Sequence, residues 1–314
     1  MIISVSRRTD IPSYFTDWFI NRLKEGYVLV RNPMNFHQIS KIKLTPEMVD
    51  GIVFWTKNPE PMIARLTDLT DYMYYFQFTI TPYGRDIEPN LPEKSTVILD
   101  IFKRISSYIG KERVIWRYDP ILINSKYSFD YHIHAFERIA NQLNDYTEKV
   151  TISFIDENYR GVKSNIQNLN LNTMTIDTIL RISKELSCIA HNYHLSIDTC
   201  AEEIELKQFG IEHARCIDDR LLEKLLGYNL NIEKDKSQRL VCGCVSSIDV
   251  GMYNTCKNGC RYCYANYNSK LVETNTSKHD HLSPLLSGEV SSDDKIIDRN
   301  VRSIRDTQMK ISNK

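Results

Sequence analysis

Three closely spaced cysteines near the end of the sequence are the residues best suited to chemistry. Cys256, Cys260 and Cys263 lie in "TCKNGCRYCYAN" (255–266) with the spacing C-x3-C-x2-C. Three thiolates are one short of a closed tetrahedral zinc site, so zinc would need a fourth ligand from another cysteine or a histidine. A [4Fe–4S] cluster held by three thiolates would leave one iron open to a further ligand. Such an open position is typical of a catalytic metal site rather than a structural one.

Four other cysteines form a second candidate set. Cys242 and Cys244 make a C-x-C pair, and Cys200 and Cys216 precede it. Together they would give a closed four-thiolate site for zinc or for an auxiliary iron–sulfur cluster. The alternative is that Cys200 and Cys216 are buried apolar residues, a common situation for free cysteine. Cys188 falls within a helix pattern and is predicted to belong to the core.

The composition limits the classes of protein to consider. Lys plus Arg number 40 and Asp plus Glu number 40, so the net charge gives little support to a nucleic-acid substrate or an acidic membrane as partner. The N-terminal stretch does not have the pattern of a signal peptide, and no apolar run is long enough to span a membrane. A cytoplasmic location is therefore expected. There, the eight cysteines favour metal binding or catalysis over disulfides.

Seven short apolar runs predict the strands that must position these residues. They are rich in β-branched and aromatic residues and mostly do not alternate, as expected for buried parallel strands. The runs lie at 2–6, 27–31, 51–55, 74–80, 113–117, 149–154 and 194–199. Amphipathic helix patterns lie between them, notably at 129–145 and 173–190. The alternation predicts an α/β fold, a full or partial (β/α) barrel of six or seven parallel strands, with an open doubly wound sheet as the alternative.

The sequence divides into three predicted regions. Residues 1–240 are expected to form the barrel-like domain, 241–268 a cluster loop packed on the barrel mouth, and 269–314 a polar tail. The stretch 154–165 is expected to be a long loop after a strand and a candidate lid.

Charged residues follow the predicted strands at their carboxyl ends, where α/β barrels place their active sites. The catalytic candidates are Arg7, Arg8, Asp10, Lys57, Arg117 and Asp119, and Asp198 stands at the end of the last run. Any one of them could simply form a salt bridge between loops. Their repetition after successive strands predicts a working barrel mouth.

The cysteine loop resembles the cluster loop of the radical S-adenosylmethionine (SAM) superfamily. An aromatic residue before the third cysteine is typical there, and Tyr262 has that place. The resemblance implies that Cys256, Cys260 and Cys263 hold a [4Fe–4S] cluster, beside which Tyr262 contributes to the cofactor site. It further implies that SAM binds the fourth iron and is cleaved to a 5′-deoxyadenosyl radical, with an electron from a donor such as flavodoxin or ferredoxin. It also implies a (β/α) barrel.

Bound SAM would need cations for its carboxylate and acids for its ammonium and ribose. The arginines and the lysine at the strand ends are the candidates for the carboxylate, since arginine offers a planar pair of donors. The aspartates at the strand ends, Asp198 included, are the candidates for the ammonium or ribose.

Two features depart from that superfamily. Its cysteine loop normally follows the first strand, whereas here it follows the last, and no "GGE"-type run is present. A circular permutation that returns the loop to the barrel mouth would reconcile the positions. Over nearly its whole length the chain resembles an uncharacterised domain-of-unknown-function family through "SRRTDIP" (6–12), "VFWTKNP" (53–59) and the cysteine loop. The alternatives to radical chemistry are a structural zinc protein and an iron–sulfur protein that transfers electrons or senses.

Overall fold

The computed structural model describes residues 1–157 and 160–306. Its strands are β1 (Ile2–Val5), β2 (Tyr27–Asn32), β3 (Asn35–Lys43), β4 (Gly51–Thr56), β5 (Tyr74–Thr79), β6 (Val114–Ile121), β7 (Lys149–Phe154), β8 (Ser196–Thr199), β9 (Glu212–His213), β10 (Ile248–Asp249) and β11 (Lys295–Asp298). Its α-helices are α1 (Ile11–Tyr14), α2 (Thr16–Lys24), α3 (Glu60–Ile63), α4 (Leu99–Ile109), α5 (Phe129–Leu143), α6 (Arg160–Lys163), α7 (Ile176–Asn192), α8 (Asp219–Leu226) and α9 (Ser269–Ser277). Short 3-10 helices and one π-helical turn, Lys94–Ile98, connect them.

Eight parallel strands form one large sheet in the order β10-β1-β4-β5-β6-β7-β8-β9. From β1 to β9 the order follows the sequence, and β10, the last of the eight along the chain, lies beside β1. The predicted α/β fold with a parallel sheet is therefore confirmed. Strands β9 and β10 are the two edges of the sheet, and no pairing joins them within the part of the chain that the structure describes.

The two faces of the sheet are covered differently. On one face, Phe54 and Trp116 pack with apolar residues of α2, α4, α5 and α7. On the other face, which we call the inner face, Val53, Tyr75 and Ile115 pack with α8 and with the cysteine-containing segments around residues 216 and 242–245. The crossover helices between β5 and β8 thus share one face, whereas α8, which lies between β9 and β10 in the chain, packs on the other.

One predicted strand belongs to a different sheet. The run at 27–31 forms β2, which pairs antiparallel with β3 in a three-stranded sheet of order β11-β3-β2. The seven runs therefore contribute six strands to the parallel sheet, and β9 and β10 supply the other two. An apolar run indicates that a strand is buried but does not say which neighbour it pairs with.

The region predicted as a polar tail contains regular structure. Helix α9 lies within it, and β11 pairs in parallel with β3, with Ile296 opposite Ile39. Residues 307–314 of that region lie outside the described residues.

The predicted helix patterns at 129–145 and 173–190 correspond to α5 and α7. Ser128 and Thr175 cap their first turns with side-chain oxygens. The apolar stripe of α7 is buried from Ile179 onward, while Ile176 in its first turn is exposed. Cys188, predicted as core, is instead exposed on α7. No α-helix among the described residues is both long and apolar enough to cross a membrane.

A buried histidine gives the fold a pH dependence that can be measured. His132 on α5 bonds the Tyr118 hydroxyl at 2.8 Å and the Leu122 carbonyl at 2.8 Å, and burial lowers its pKa to about 4. Since the unfolded imidazole has its usual pKa near 6.5, the unfolded state gains the proton first as pH falls. The free energy of unfolding should therefore fall between pH 6.5 and 4, by about 3 kcal/mol from this group.

Urea unfolding at several pH values tests this, with His132→Gln as the comparison. The wild type should lose more stability than the variant across that window, while above pH 7 the difference between the two should not depend on pH. Equal pH slopes for both proteins would contradict the assignment.

Candidate functional site

The cysteine loop, residues 255–266, continues from strand β10 at the edge of the large sheet. β10 is parallel to β1, with Ile248 opposite Ile3 and Asp249 opposite Ser4. Because parallel strands end at the same edge, the loop emerges beside the residues that follow β1 and β4. The fold therefore brings a segment from the end of the chain to residues from its beginning.

Asp249, the last residue of β10, attaches this strand to the residues after β1. Its carboxylate accepts hydrogen bonds from the Ser4 and Ser6 hydroxyls at 2.8 and 2.7 Å. It also accepts from the backbone N–H groups of Arg7 at 2.8 Å and Gly251 at 3.0 Å. A Cβ at Gly251 would overlap Ser6, so the close approach requires glycine there. Asp249 thus fixes the start of the cysteine loop.

Replacing Asp249 by Ala should lower the free energy of unfolding by about 3 kcal/mol, because four donors lose one buried acceptor together. Urea unfolding followed by circular dichroism measures the change. Asp71→Ala is the control, because Asp71 is exposed and its loss should change stability by less than about 0.5 kcal/mol. Comparable small effects at both positions would show that Asp249 is not an anchor.

Asp10, a predicted catalytic carboxylate, joins the cysteine loop to the first strands. One oxygen accepts from the Lys57 backbone N–H at 2.8 Å and from the Asn258 side chain at 3.1 Å. The other accepts from the Ser13 N–H at 3.1 Å, which caps α1. The Tyr14 hydroxyl donates to the Asn258 side-chain oxygen at 2.7 Å. Burial raises the pKa of Asp10, although the hydrogen bonds from Lys57, Ser13 and Asn258 act against the rise.

A buried charge cluster lies against the same loop. The Glu88 side chain is fully buried and pairs with Lys57 at 2.8 Å and with Lys94. It also accepts from the Thr81 hydroxyl at 2.9 Å and from the Tyr262 hydroxyl. The Lys57 ammonium lies 5.5 Å from the centre of the Tyr262 ring. Two lysines share one carboxylate, so the cluster carries one net positive charge beside the cysteines.

The three cysteines of the loop are buried or half-buried and interact electrostatically. Burial raises the pKa of all three thiols, and Cys256 and Cys263 raise that of Cys260 further. The charge of Lys57 lowers the pKa of Cys260 and of Cys263. Within residues 1–157 and 160–306, no three His, Cys, Asp or Glu side chains are grouped to hold one metal ion. A [4Fe–4S] cluster does not require such convergence, because each thiolate binds a different iron.

The two arginines after β1 lie at this edge of the sheet. The carbonyl of Arg7 accepts from the Tyr264 hydroxyl at 2.6 Å, and its guanidinium lies 3.9 Å from Asp249. The Arg8 guanidinium lies 3.9 Å from Asp249 and 5.3 Å from the centre of the Tyr253 ring. Arg7 thus contacts the cysteine loop through its backbone, while its side chain pairs with the anchor of that loop.

The stretch predicted as a loop at 154–165 contacts the cysteine loop from the other side. The Asn165 side chain donates to the Cys263 carbonyl at 2.7 Å. A Cβ at Gly161 would lie 2.6 Å from the Tyr264 carbonyl oxygen, so the two backbones pass very close together. Two residues of this stretch, 158 and 159, lie outside the described residues.

Arg117 and Asp119 form a second polar group, within β6 rather than after it. The guanidinium of Arg117 pairs with Asp119 and lies 2.9 Å from the Cys216 sulfur. Asp119 also accepts from the Ser153 hydroxyl. Burial acts to lower the pKa of Lys57, but nearby negative charges, those of Glu88 and Asp119 among them, outweigh it and raise the pKa. The two polar groups are therefore close enough for their charges to interact.

The structure brings the second set of cysteines together. The sulfur of Cys216 lies 3.3 Å from that of Cys200. The Ile217 N–H donates to the Cys244 sulfur at 3.4 Å. Cys216, Cys242 and Cys244 pack in one buried cluster on the inner face of the sheet, with the half-buried Cys200 against it.

Asp198 is the one predicted cofactor residue that lies apart from the cysteine loop. It forms an ion pair at 2.5 Å with Lys149, the first residue of β7. The cysteine loop lies at the opposite, carboxyl end of the strands.

Four residues that contact or position the site were missed from the sequence. They are Glu88, Lys94, Asp249 and Asn258. Glu88 and Lys94 lie in a long connection whose only signal was the turn at "TPYG". Asp249 belongs to a two-residue strand, which is too short to show any periodicity. Asn258 could have been noticed as an amide between two of the cysteines.

A known protein family covers nearly the same residues as the large sheet and the cysteine loop. A family described as "Domain of unknown function (DUF1848)" matches residues 2–265, which include the large sheet and the three cysteines of the loop. No curated protein matches the chain. Since the match covers most of the sequence, the chain belongs to the DUF1848 family.

Proposed function

We propose that this protein is a radical SAM-type enzyme. It binds a [4Fe–4S] cluster through Cys256, Cys260 and Cys263, and it cleaves S-adenosylmethionine reductively to begin radical chemistry on a substrate. The observation that carries the proposal is the position of the cysteine loop at the carboxyl edge of the parallel sheet, attached to Arg7, Asp10 and the Glu88 cluster.

The strand order supports the permutation that the sequence suggested. In radical SAM enzymes the cysteine loop follows the first strand of the barrel. Here it follows β10, which is an edge strand next to β1 and therefore has the place of a first strand. A permutation changes where the chain begins but leaves the loop beside the same strands. The late position of the cysteines is thus compatible with the superfamily arrangement.

The donor set fits an iron–sulfur cluster. The three cysteines lie on one short loop, and burial raises the pKa of their thiols, so the free thiols are protonated. Binding of a cluster would displace these protons. The positive charge of Lys57 and Lys94 compensates the thiolate charge. A [4Fe–4S] cluster bound here would supply the electron for SAM cleavage and one iron without a protein thiolate.

The same charges support a place for SAM. After pairing with Glu88, the two lysines leave one net positive charge next to Tyr262, which suits a carboxylate. Asp119, whose charge acts on Lys57, is the candidate acceptor for an ammonium or a ribose hydroxyl, in addition to its contacts with Arg117 and Ser153. Asp10 has a positioning role, because its oxygens already accept from Lys57, Asn258 and Ser13.

Anaerobic purification followed by metal analysis tests the proposal. We expect brown protein with about four irons and four sulfides bound by Cys256, Cys260 and Cys263. Dithionite should bleach it, and added SAM should yield 5′-deoxyadenosine. Colourless protein with stoichiometric zinc and without SAM cleavage would overturn the proposal and favour a structural zinc protein.

A further inference from the structure

The four cysteines outside the loop come from three separate segments that meet on the inner face. Cys200 follows β8, Cys216 follows β9, and Cys242 and Cys244 precede β10. The sulfurs of Cys200 and Cys216 are 3.3 Å apart, and Cys242 and Cys244 pack in the same cluster. Four of the eight cysteines of the chain therefore lie at one place.

The backbone around these thiols is held by specific polar contacts. The carbonyl of Cys216 accepts from the Tyr75 hydroxyl at 2.8 Å and from the Gln77 side chain at 2.9 Å. The Ile217 N–H donates to the Cys244 sulfur at 3.4 Å. Backbone N–H donors toward sulfur are the contacts that tune thiolate ligands.

Glycine at position 243 allows the two segments to approach closely. A Cβ there would lie 2.7 Å from the Ala214 carbonyl oxygen. The C-x-C pair is thus pressed against the segment that carries Cys216. A larger residue would push Cys242 and Cys244 away from their partners.

A buried cation faces the same thiols. The Arg117 guanidinium, almost fully buried, lies 2.9 Å from the Cys216 sulfur. The guanidinium also pairs with Asp119, and it would compensate the charge of thiolates formed on metal binding. Plain apolar packing does not explain the N–H donor to Cys244.

Along the chain, the thiols adjoin the two edge strands of the large sheet. Strands β9 and β10 are the two edges of the large sheet, and the described residues show no pairing between them. Cys216 follows one edge strand, and the C-x-C pair precedes the other. A metal bound by both would connect the edges and support β10, which carries the cysteine loop.

We propose that Cys200, Cys216, Cys242 and Cys244 form a second metal centre, ligated by four thiolates, that joins the two edges of the sheet. The shared chemistry is a thiolate-bound soft metal, either one zinc ion or an iron–sulfur cluster. Among the described residues no three His, Cys, Asp or Glu side chains are grouped to hold one metal ion, so binding either group requires the four sulfurs to move together. The centre is independent of SAM cleavage.

The test uses the full chain with Cys256, Cys260 and Cys263 all replaced by Ala, purified anaerobically. We expect it to retain either about four irons with sulfide or one zinc per chain. Adding Cys242→Ser and Cys244→Ser should remove that metal, whereas Cys188→Ala should not. A folded triple variant without iron or zinc overturns the proposal.

Two further measurements keep the test decisive. If the triple variant does not fold, the metal that Cys242→Ser with Cys244→Ser removes from the otherwise wild-type chain decides: loss of about four irons or of one zinc supports the second centre, and unchanged metal overturns it. In the triple variant, removing the metal with a chelator should increase the exchange of backbone amide hydrogens in β9 and β10. Unchanged exchange overturns the proposal that the metal joins the two edges of the sheet. If the proposed radical function fails instead, the metal remaining in the wild type should depend only on the second set of cysteines.

Discussion

Cys263→Ala should reduce 5′-deoxyadenosine formation to the level found without enzyme. It should also remove the iron and sulfide bound at the cysteine loop, because two thiolates cannot hold a [4Fe–4S] cluster that already lacks a fourth protein ligand. The fold should persist, since Cys263 lies in the loop and not in the sheet. Anaerobic metal analysis and chromatographic detection of 5′-deoxyadenosine measure both effects on one preparation.

Cys188→Ala is the matched control for this substitution. It removes the same sulfur atom from an exposed position on α7, whose apolar residues pack on the opposite face of the sheet from the second cysteine set. Its iron content and SAM cleavage should equal those of the wild type. SAM cleavage that survives in Cys263→Ala, or fails equally in both variants, would contradict the role given to the cysteine loop.

The strands that carry the site were largely predictable, because buried parallel strands have apolar runs that single sequences reveal. The run at 51–55 became β4, and the run at 149–154 became β7. The pairing of strands was less predictable. The run at 27–31 looks like the others but joins the small sheet, because its neighbour β3 follows it within a hairpin. Sequence pattern reports burial, while partners depend on the whole fold.

The decisive element of the site was the least visible in the sequence. Strand β10 has two residues, so it shows no periodicity, yet it determines that the cysteine loop emerges beside β1. The thiols were evident from type and spacing alone. The groups that surround them, such as Glu88 and Lys94, come from a connection whose packing is set by distant contacts. Residues that do chemistry were thus easier to predict than those that position them.

Glu88→Gln should lower the free energy of unfolding by about 3–5 kcal/mol, one of the largest single-residue effects in the chain. Burial would raise the pKa of Glu88, but Lys57 and Lys94 outweigh it and lower the pKa to about 2, so the group is ionised at neutral pH. The neutral amide leaves two mostly buried ammonium groups without their counter-charge. Urea unfolding of the metal-free protein measures the loss apart from any cluster.

Two further variants separate charge from packing in this result. Glu137→Gln makes the same chemical change at an exposed position on α5 and should alter stability by less than about 0.5 kcal/mol. Adding Lys94→Met to Glu88→Gln removes one of the unpaired ammonium groups and should restore part of the lost stability. If the double variant is less stable than Glu88→Gln alone, the cost comes from lost hydrogen bonds rather than from unpaired charge. Partial recovery would instead show that Glu88 holds two cations beside the cysteine loop, where their surplus charge can receive an anionic ligand.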